Sequence, residues 1–149
     1  MNYEINFLNR IYQNSKMGEQ SINTMLKNVK NPRLRHVMEQ QKEGYSMLSR
    51  KAQRQLHLHR EIPQDKSKLS KLSSQLAIQM KLQQSQKPSH LAGMLIQGST
   101  MGIIDATQHL HKYRYASPCV KNLAGEVIRF VYGYYRCDTT PTQISLCFS

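Results

Sequence analysis

Apolar and small side chains recur every three or four residues along most of this chain, which is the spacing of one face of an α-helix. The first stripe begins at Ile5, and the second ends at Leu56. Between them lies the dipeptide Asn31-Pro32, in which asparagine can cap a helix and proline suits the first helical position. So short a break predicts two antiparallel helices that pack side by side.

Three further elements follow along the chain. The segment 65–84 is rich in Ser, Gln and Lys and has a narrow apolar face, so we predict a helical crossover there. Over residues 91–109 the apolar face is wide, as expected of a helix that is buried on more than one side. A last stripe covers residues 120–134, after a second cap-and-proline pair at Ser117-Pro118.

Two glycines on the fourth element, Gly98 and Gly102, each lower helix stability by about 1 kcal/mol relative to alanine. Close approach of a neighbouring helix backbone is a common reason for such glycines. Ser15 and Gly18 give the first helix a matching face of small side chains. We therefore predict that the first and fourth elements lie close together at these positions.

Counting the elements predicts an all-α fold. The predicted fold is an antiparallel four-helix bundle with an additional helical crossover element. The bundle is expected to cover residues 1–136, because the last stripe ends at Tyr134. Residues 137–149 are expected to form an irregular tail, since Pro141 and a threonine pair oppose a continued helix.

Charge and cysteine content narrow the class of protein. The chain has 21 Lys and Arg against 9 Asp and Glu, a formal net charge of +12. No apolar run approaches the roughly 20 residues that a membrane span needs, and the first residues lack the basic and apolar regions of a signal peptide. The three cysteines form neither a disulfide framework nor a C-x-x-C pair. These features predict a basic cytoplasmic protein with free thiols.

Two segments resemble a known family. They are YEINFLNRIYQNSKMGEQSI at 3–22 and HLAGMLIQGSTMGIIDATQHLHKY at 90–113, within which MLIQGSTMGIID is the most specific run. Both are similar to an uncharacterised bacterial family of ferritin-like helical-bundle proteins, and the resemblance covers about residues 3–130. It implies a ferritin-like four-helix fold with no assigned reaction. Members typically end in a charged Glu/Lys-rich helix, a pattern from which this chain departs after Phe130.

The resemblance raises the question of a di-metal site. Ferritin-like iron sites use a glutamate from each of two helices and a Glu-x-x-His pair from each of the other two. No Glu-x-x-His occurs in this chain, and Asp105 with His109 one turn later is the nearest approach to it. The weak candidate ligands for iron or manganese are Glu19, Glu43, Asp105, His109 and Glu126.

A structural role for Asp105 is the favoured alternative. A half-buried carboxylate needs hydrogen-bond partners, because burying it unpaired costs several kcal/mol. On this interpretation Asp105 belongs to a polar network, and no metal or other cofactor is bound. The expected partners are Ser15, Gln41, Tyr45 or Gln97 of neighbouring helices.

The segment 50–71 carries a cluster of seven Lys and Arg residues against Glu61 and Asp65. Such a cluster can bind nucleic acid or another anionic surface by releasing counterions. The segment lacks the interleaved aromatic residues that stack on single-stranded bases, and a solvated face is the favoured alternative. The candidate anion-binding residues are Arg50, Lys51, Arg54, Arg60, Lys66, Lys68 and Lys71.

The leading functional hypothesis is therefore a non-catalytic structural or interaction role, through self-association into a homo-oligomer or through a partner. A degenerate di-metal oxidase or metal-storage protein is the first alternative. Binding of nucleic acid or anionic surfaces by segment 50–71 is the second. The methionines that lie on the apolar stripes are interpreted as core residues; they are Met25, Met38, Met80, Met94 and Met101.

Overall fold

The computed structural model describes residues 3–65, 77–78, 80–82 and 87–139. Within these residues the chain forms four long helices and no strand, so the all-α prediction is confirmed. None of the described helices combines the length and the apolarity that crossing a membrane requires. The helices are α1 (Tyr3–Leu26), α2 (Pro32–Leu58), α3 (Pro88–Lys112) and α4 (Pro118–Thr139).

The predicted signals at Asn31-Pro32 and Ser117-Pro118 do begin helices, and Pro88 begins a third in the same way. Pro32, Pro88 and Pro118 each occupy the first position of a helix. The Asn31 side chain caps α2, since its oxygen accepts hydrogen bonds from the backbone N–H groups of Arg33 and Leu34. Helix starts are predictable here because the signal lies within three residues of the boundary.

The connection between α1 and α2 is longer than predicted. Helix α1 ends at Leu26, so residues 27–31 form the turn. The Arg35 guanidinium of α2 donates a hydrogen bond of 2.9 Å to the Leu26 carbonyl. The same carbonyl accepts from the Val29 N–H at 3.3 Å, so a side chain and the turn together satisfy this carbonyl at the end of α1. Val29 lies buried within the turn.

Helix α2 ends at Leu58, two residues after the predicted end of its apolar stripe at Leu56. The Glu61 N–H donates to the Leu56 carbonyl and the Arg60 N–H to the His57 carbonyl, both at 2.9 Å. This pair of bonds is the Schellman motif, which places one residue in the left-handed region. Arg60 holds that position with φ of 60°, where glycine is usual.

Replacing this arginine with glycine is expected to stabilise the protein. The left-handed conformation costs an L-residue about 1–2 kcal/mol, of which the greater freedom of glycine in the unfolded chain offsets part. Arg60→Gly should therefore raise the free energy of unfolding by about 0.5–1 kcal/mol in urea denaturation. The matched control Arg54→Gly, inside α2, should lower it by about 1 kcal/mol. A loss of stability in Arg60→Gly would contradict this account of the cap.

Contacts between helices set their relative directions. The short connection 113–117 makes α3 and α4 antiparallel, as the turn 27–31 does for α1 and α2. At the start of α1, Glu4 accepts a hydrogen bond from the Ser117 N–H, and the Phe7 ring stacks on Tyr113 at 5.2 Å. Asn14 follows Phe7 in α1, whereas its partner Asp105 precedes Tyr113 in the chain. Helices α1 and α3 are therefore also antiparallel.

Helices α2 and α4 are antiparallel as well. Lys51 of α2 pairs with Glu126 of α4 at 2.6 Å. Tyr45 comes before Lys51 in α2, but the ring that it contacts, Phe130, comes after Glu126 in α4. It follows that α2 and α3 run in the same direction, so the chain between them must return along the length of the molecule. The predicted crossover helix lies in this stretch. Residues 77–78 and 80–82 are helical, and the remainder of 66–86 lies outside the described residues.

The core lies between the helices and follows the predicted stripes in most places. Met25 and Met38 are buried in it, and Met94 is half-buried. The core prediction is wrong for two other methionines, because Met80 is 57% exposed and Met101 62% exposed. The deeply buried apolar side chains include Phe7, Leu8, Leu34, Met38, Leu56, Leu91, Val120 and Val131.

Glycines matter for packing at α2 rather than at α3. A Cβ built on Gly44 would overlap the Phe130 ring, which packs edge-on against Tyr45 with ring centroids 5.1 Å apart. A Cβ on Gly18 would lie 2.8 Å from the Tyr45 ring. By contrast, a Cβ on Gly98 would meet nothing within 4 Å. The predicted close approach of α1 to α3 at Gly98 is therefore wrong.

A methyl group at Gly44 should displace the Phe130 ring. Overpacking of this kind costs about 1–3 kcal/mol, whereas alanine at an open helical position gains about 1 kcal/mol over glycine. The matched control is Gly93→Ala in α3, where a Cβ meets nothing within 4 Å. Thermal or urea unfolding should show Gly44→Ala to be less stable than Gly93→Ala by about 1–3 kcal/mol. Equal stability of the two variants would show that the ring does not occupy this space.

Candidate functional site

The structure does not bring the predicted metal ligands together. Glu43 forms an ion pair of 3.0 Å with Arg50 on the exposed side of α2. Glu126 of α4 pairs with Lys51 at 2.6 Å. Each of these glutamates is thus paired with a cation of its own.

Glu19 is also separate from the other candidates. Its Oε2 atom is buried, and Lys16 in the same helix lies 3.5 Å from it. Across the residues that the structure describes, no three His, Cys, Asp or Glu side chains form a group that could hold a metal ion. Of the five candidate ligands, only Asp105 and His109 come together.

Asp105 and His109 form a polar cluster with two residues of α1, Arg10 and Asn14; we call these four residues the Asp105 cluster. The Asn14 amide donates a hydrogen bond to Asp105 Oδ2. Arg10 Nη2 lies 3.5 Å from Oδ1, and His109 Nδ1 lies 3.4 Å from the same oxygen. His109 Nδ1 is also 2.7 Å from the Asp105 backbone carbonyl. The half-buried carboxylate therefore joins α1 to α3.

A polar network around Asp105 was expected, and one is present with different partners. The predicted partners were Ser15, Gln41, Tyr45 and Gln97. Gln97 instead accepts a hydrogen bond from Lys81 at 2.9 Å. The other three line a cavity beside the cluster. The sequence could not indicate Arg10 and Asn14, because the register of α1 against α3 is set by contacts about ninety residues apart in the chain.

Removing the carboxylate should weaken the α1–α3 contact. Asp105→Ala leaves Asn14 and Arg10 without their acceptor, and hydrogen bonds to charged groups contribute about 1.5–3 kcal/mol. Because Asp105 is 28% exposed, we expect a loss of about 1–2 kcal/mol in the free energy of unfolding. Glu43→Ala breaks an exposed ion pair and should cost less than about 1 kcal/mol. Equal losses in urea denaturation would refute a joining role for Asp105.

A largely apolar cavity of about 380 Å³ lies among the four helices, beside the Asp105 cluster. All four members of that cluster contribute to its lining. Four methionines also line it, two from α1 and two from α3; they are Met17, Met25, Met94 and Met101. The cavity is thus apolar over most of its wall and polar where α1 and α3 are joined.

Small residues explain why the space between α1 and α3 stays unfilled. Gly98 and Gly102 of α3 and Ser15, Gly18 and Ser21 of α1 all line the cavity. A Cβ on Gly102 would only reach ordinary contact with Val131, at 3.6 Å. These small side chains, predicted to lie at a close helix contact, instead leave room for a cavity.

A second, polar pocket of about 310 Å³ adjoins the first, and we call it the polar pocket. Arg10 and His109 line both spaces, and Lys112 and Tyr113 of the α3 end line the polar pocket as well. The remaining lining residues carry amide groups; they are Asn6, Asn9, Gln13 and Gln64.

The chain that follows α2 closes one side of the polar pocket. Gln64 is held on α1 by two hydrogen bonds of 2.8 Å, to the Asn9 side-chain oxygen and from the Gln13 side-chain nitrogen. The next residue, Asp65, accepts a hydrogen bond from the Tyr12 hydroxyl. Burial raises the pKa of Tyr12 above its usual value, and the negative charge of Asp65 raises it further.

The predicted basic segment is divided by ion pairs. Arg50 and Lys51 are bound to Glu43 and Glu126, respectively. Arg54 and Arg60 are exposed. The other three candidates, Lys66, Lys68 and Lys71, lie outside the described residues. Anion binding by segment 50–71 stays a prediction.

Comparison of the chain with models of known protein families, with characterised proteins and with solved structures gives no match.

Proposed function

We propose that this chain is a non-catalytic binding protein whose ligand is a small, largely apolar molecule held in the cavity between α1 and α3. The cavity itself carries the proposal. Its volume of about 380 Å³ falls within the range of roughly 300–1,000 Å³ that is typical of ligand pockets. Apolar walls with a few convergent polar groups are the usual composition of such sites.

The methionines of the wall support this proposal. Methionine has a flexible, unbranched side chain with a polarizable sulfur, and it adapts to ligands of different shapes. Met101 is 62% exposed at the cavity although it lies on an apolar stripe. An exposed apolar side chain at such a wall becomes buried when a ligand binds, which contributes about 25 cal/mol for each Å² removed from water.

We further propose that the fold is a ferritin-like four-helix bundle. In such bundles, one long crossover joins two antiparallel helical hairpins. The order and directions of the four helices are consistent with this connectivity. The resemblance of segments 3–22 and 90–113 to a bacterial ferritin-like family supports the same interpretation. The di-metal oxidase alternative gains no support, because Glu19, Glu43 and Glu126 each pair with a separate cation. Self-association and a cytoplasmic location stay predictions.

The cavity can be tested by filling it from Gly98. A Cβ at position 98 has no other atom within 4 Å, so Gly98→Leu should fold. Because Gly98 lines the cavity, the leucine side chain should lie in the ligand space. Gly93→Leu is the matched control, on the same helix, with equal space around its Cβ and outside the cavity lining. Both variants should gain helix stability of similar size.

The measurement is fluorescence titration with N-phenylnaphthylamine, an uncharged dye that emits strongly in apolar sites. The wild-type protein and Gly93→Leu should bind the dye with equal affinity, and decanol should displace it. Gly98→Leu should weaken dye binding by about tenfold or more. The reason is that the leucine side chain would occupy space that the bound dye needs. Absence of dye binding to the wild-type protein, or equal binding by all three proteins, would refute the proposal.

A further inference from the structure

The apolar cavity and the polar pocket are neighbours that share two lining residues. Arg10 and His109 line both, so their side chains stand between an apolar space and a polar one. A molecule that enters the cavity and extends past these two residues reaches the polar pocket. The combined site therefore offers an apolar part and a polar part to one ligand.

The polar pocket presents basic groups and no acidic ones. Arg10, Lys112 and His109 are its ionisable residues apart from Tyr113, and none of the described lining residues is Asp or Glu. The Lys112 ammonium lies 5.4 Å from the centre of the Tyr113 ring. Amide side chains of α1 and of Gln64 supply further hydrogen-bonding groups. Such a lining favours a negatively charged group.

Asp105 is the carboxylate that contacts Arg10 and His109, and its charge is already compensated. It accepts a hydrogen bond from Asn14 and lies 3.5 Å from Arg10 Nη2. A guanidinium has five N–H donors, and the Arg10 side chain is 45% exposed. Arg10 can therefore keep its contact with Asp105 and donate to a ligand on its other side.

We infer that the ligand is a single-chain amphiphile with an anionic head group, whose apolar chain lies in the cavity and whose carboxylate or phosphate lies in the polar pocket against Arg10 and Lys112. This inference rests on the proposed function and specifies the chemical class of its ligand. The two head groups share the same chemistry at this site, since both accept several charge-assisted hydrogen bonds.

The test compares three probes with the same chain and different heads: decanol, decanoate and decyl phosphate. Their dissociation constants are measured by displacement of N-phenylnaphthylamine, below the concentrations at which the probes form micelles. The wild-type protein should bind at least one anionic probe about tenfold more tightly than decanol, as expected for charge-assisted hydrogen bonds. The more tightly bound anion identifies the head group.

Two variants separate binding in the pocket from general attraction to a basic protein. Lys112→Gln removes one charge from the polar pocket without touching Asp105, and it should reduce the preference for the anionic probe over decanol by about fivefold or more. Lys30→Gln removes one exposed charge from the α1–α2 turn and should leave that preference unchanged. Both variants lower the net charge by the same amount.

The outcomes distinguish failure of the inference from failure of the proposed function. If decanol binds as tightly as both anions, the head-group inference is wrong and the apolar cavity stands. An anionic preference that Lys112→Gln and Lys30→Gln reduce equally would also overturn the inference, because it would reflect net charge alone. If no probe displaces the dye and the dye itself does not bind, both the inference and the proposed function are wrong.

Discussion

The contact between α1 and α3 depends on one half-buried carboxylate. Asp105 must be compensated where it stands, because an unpaired buried charge is costly. Arg10 and Asn14 provide that compensation from α1. Together with the rings of Phe7 and Tyr113, they join the start of α1 to the end of α3. Elsewhere along this boundary, small side chains and methionines of both helices line the cavity.

The other helix pairs are held by different means, and this difference creates the cavity. Helix α2 packs against α4 through an aromatic pair, Tyr45 and Phe130, for which Gly44 leaves the necessary space. On the opposite side, Gly98 and Gly102 contribute no side chains to fill the gap. A polar contact at one end and missing side chains beyond it are what give the site both an apolar and a polar part.

The candidate site was only partly predictable. Asp105 and His109 could be paired from the sequence, because a spacing of four residues places two side chains on the same helix face. Arg10 and Asn14 carry no such signal, since their meeting with Asp105 depends on the register between separate helices. The helix-destabilising effect of Gly98 marks it as a special position, but the predicted close helix contact there is wrong. A small residue on a helix face is compatible with a close neighbour or with an empty space, and only packing distinguishes them.

The sequence by itself determined the helical class and the helix starts at Pro32 and Pro118. These features depend on side-chain spacing and capping within a few neighbouring residues, so they can be derived without tertiary contacts. Only the tertiary structure decided which residues of α1 face α3, that three predicted metal-ligand glutamates pair with separate cations, and that a polar pocket adjoins an apolar cavity. Those outcomes depend on how four helices are placed relative to one another, which is decided by the packing of side chains far apart in the chain.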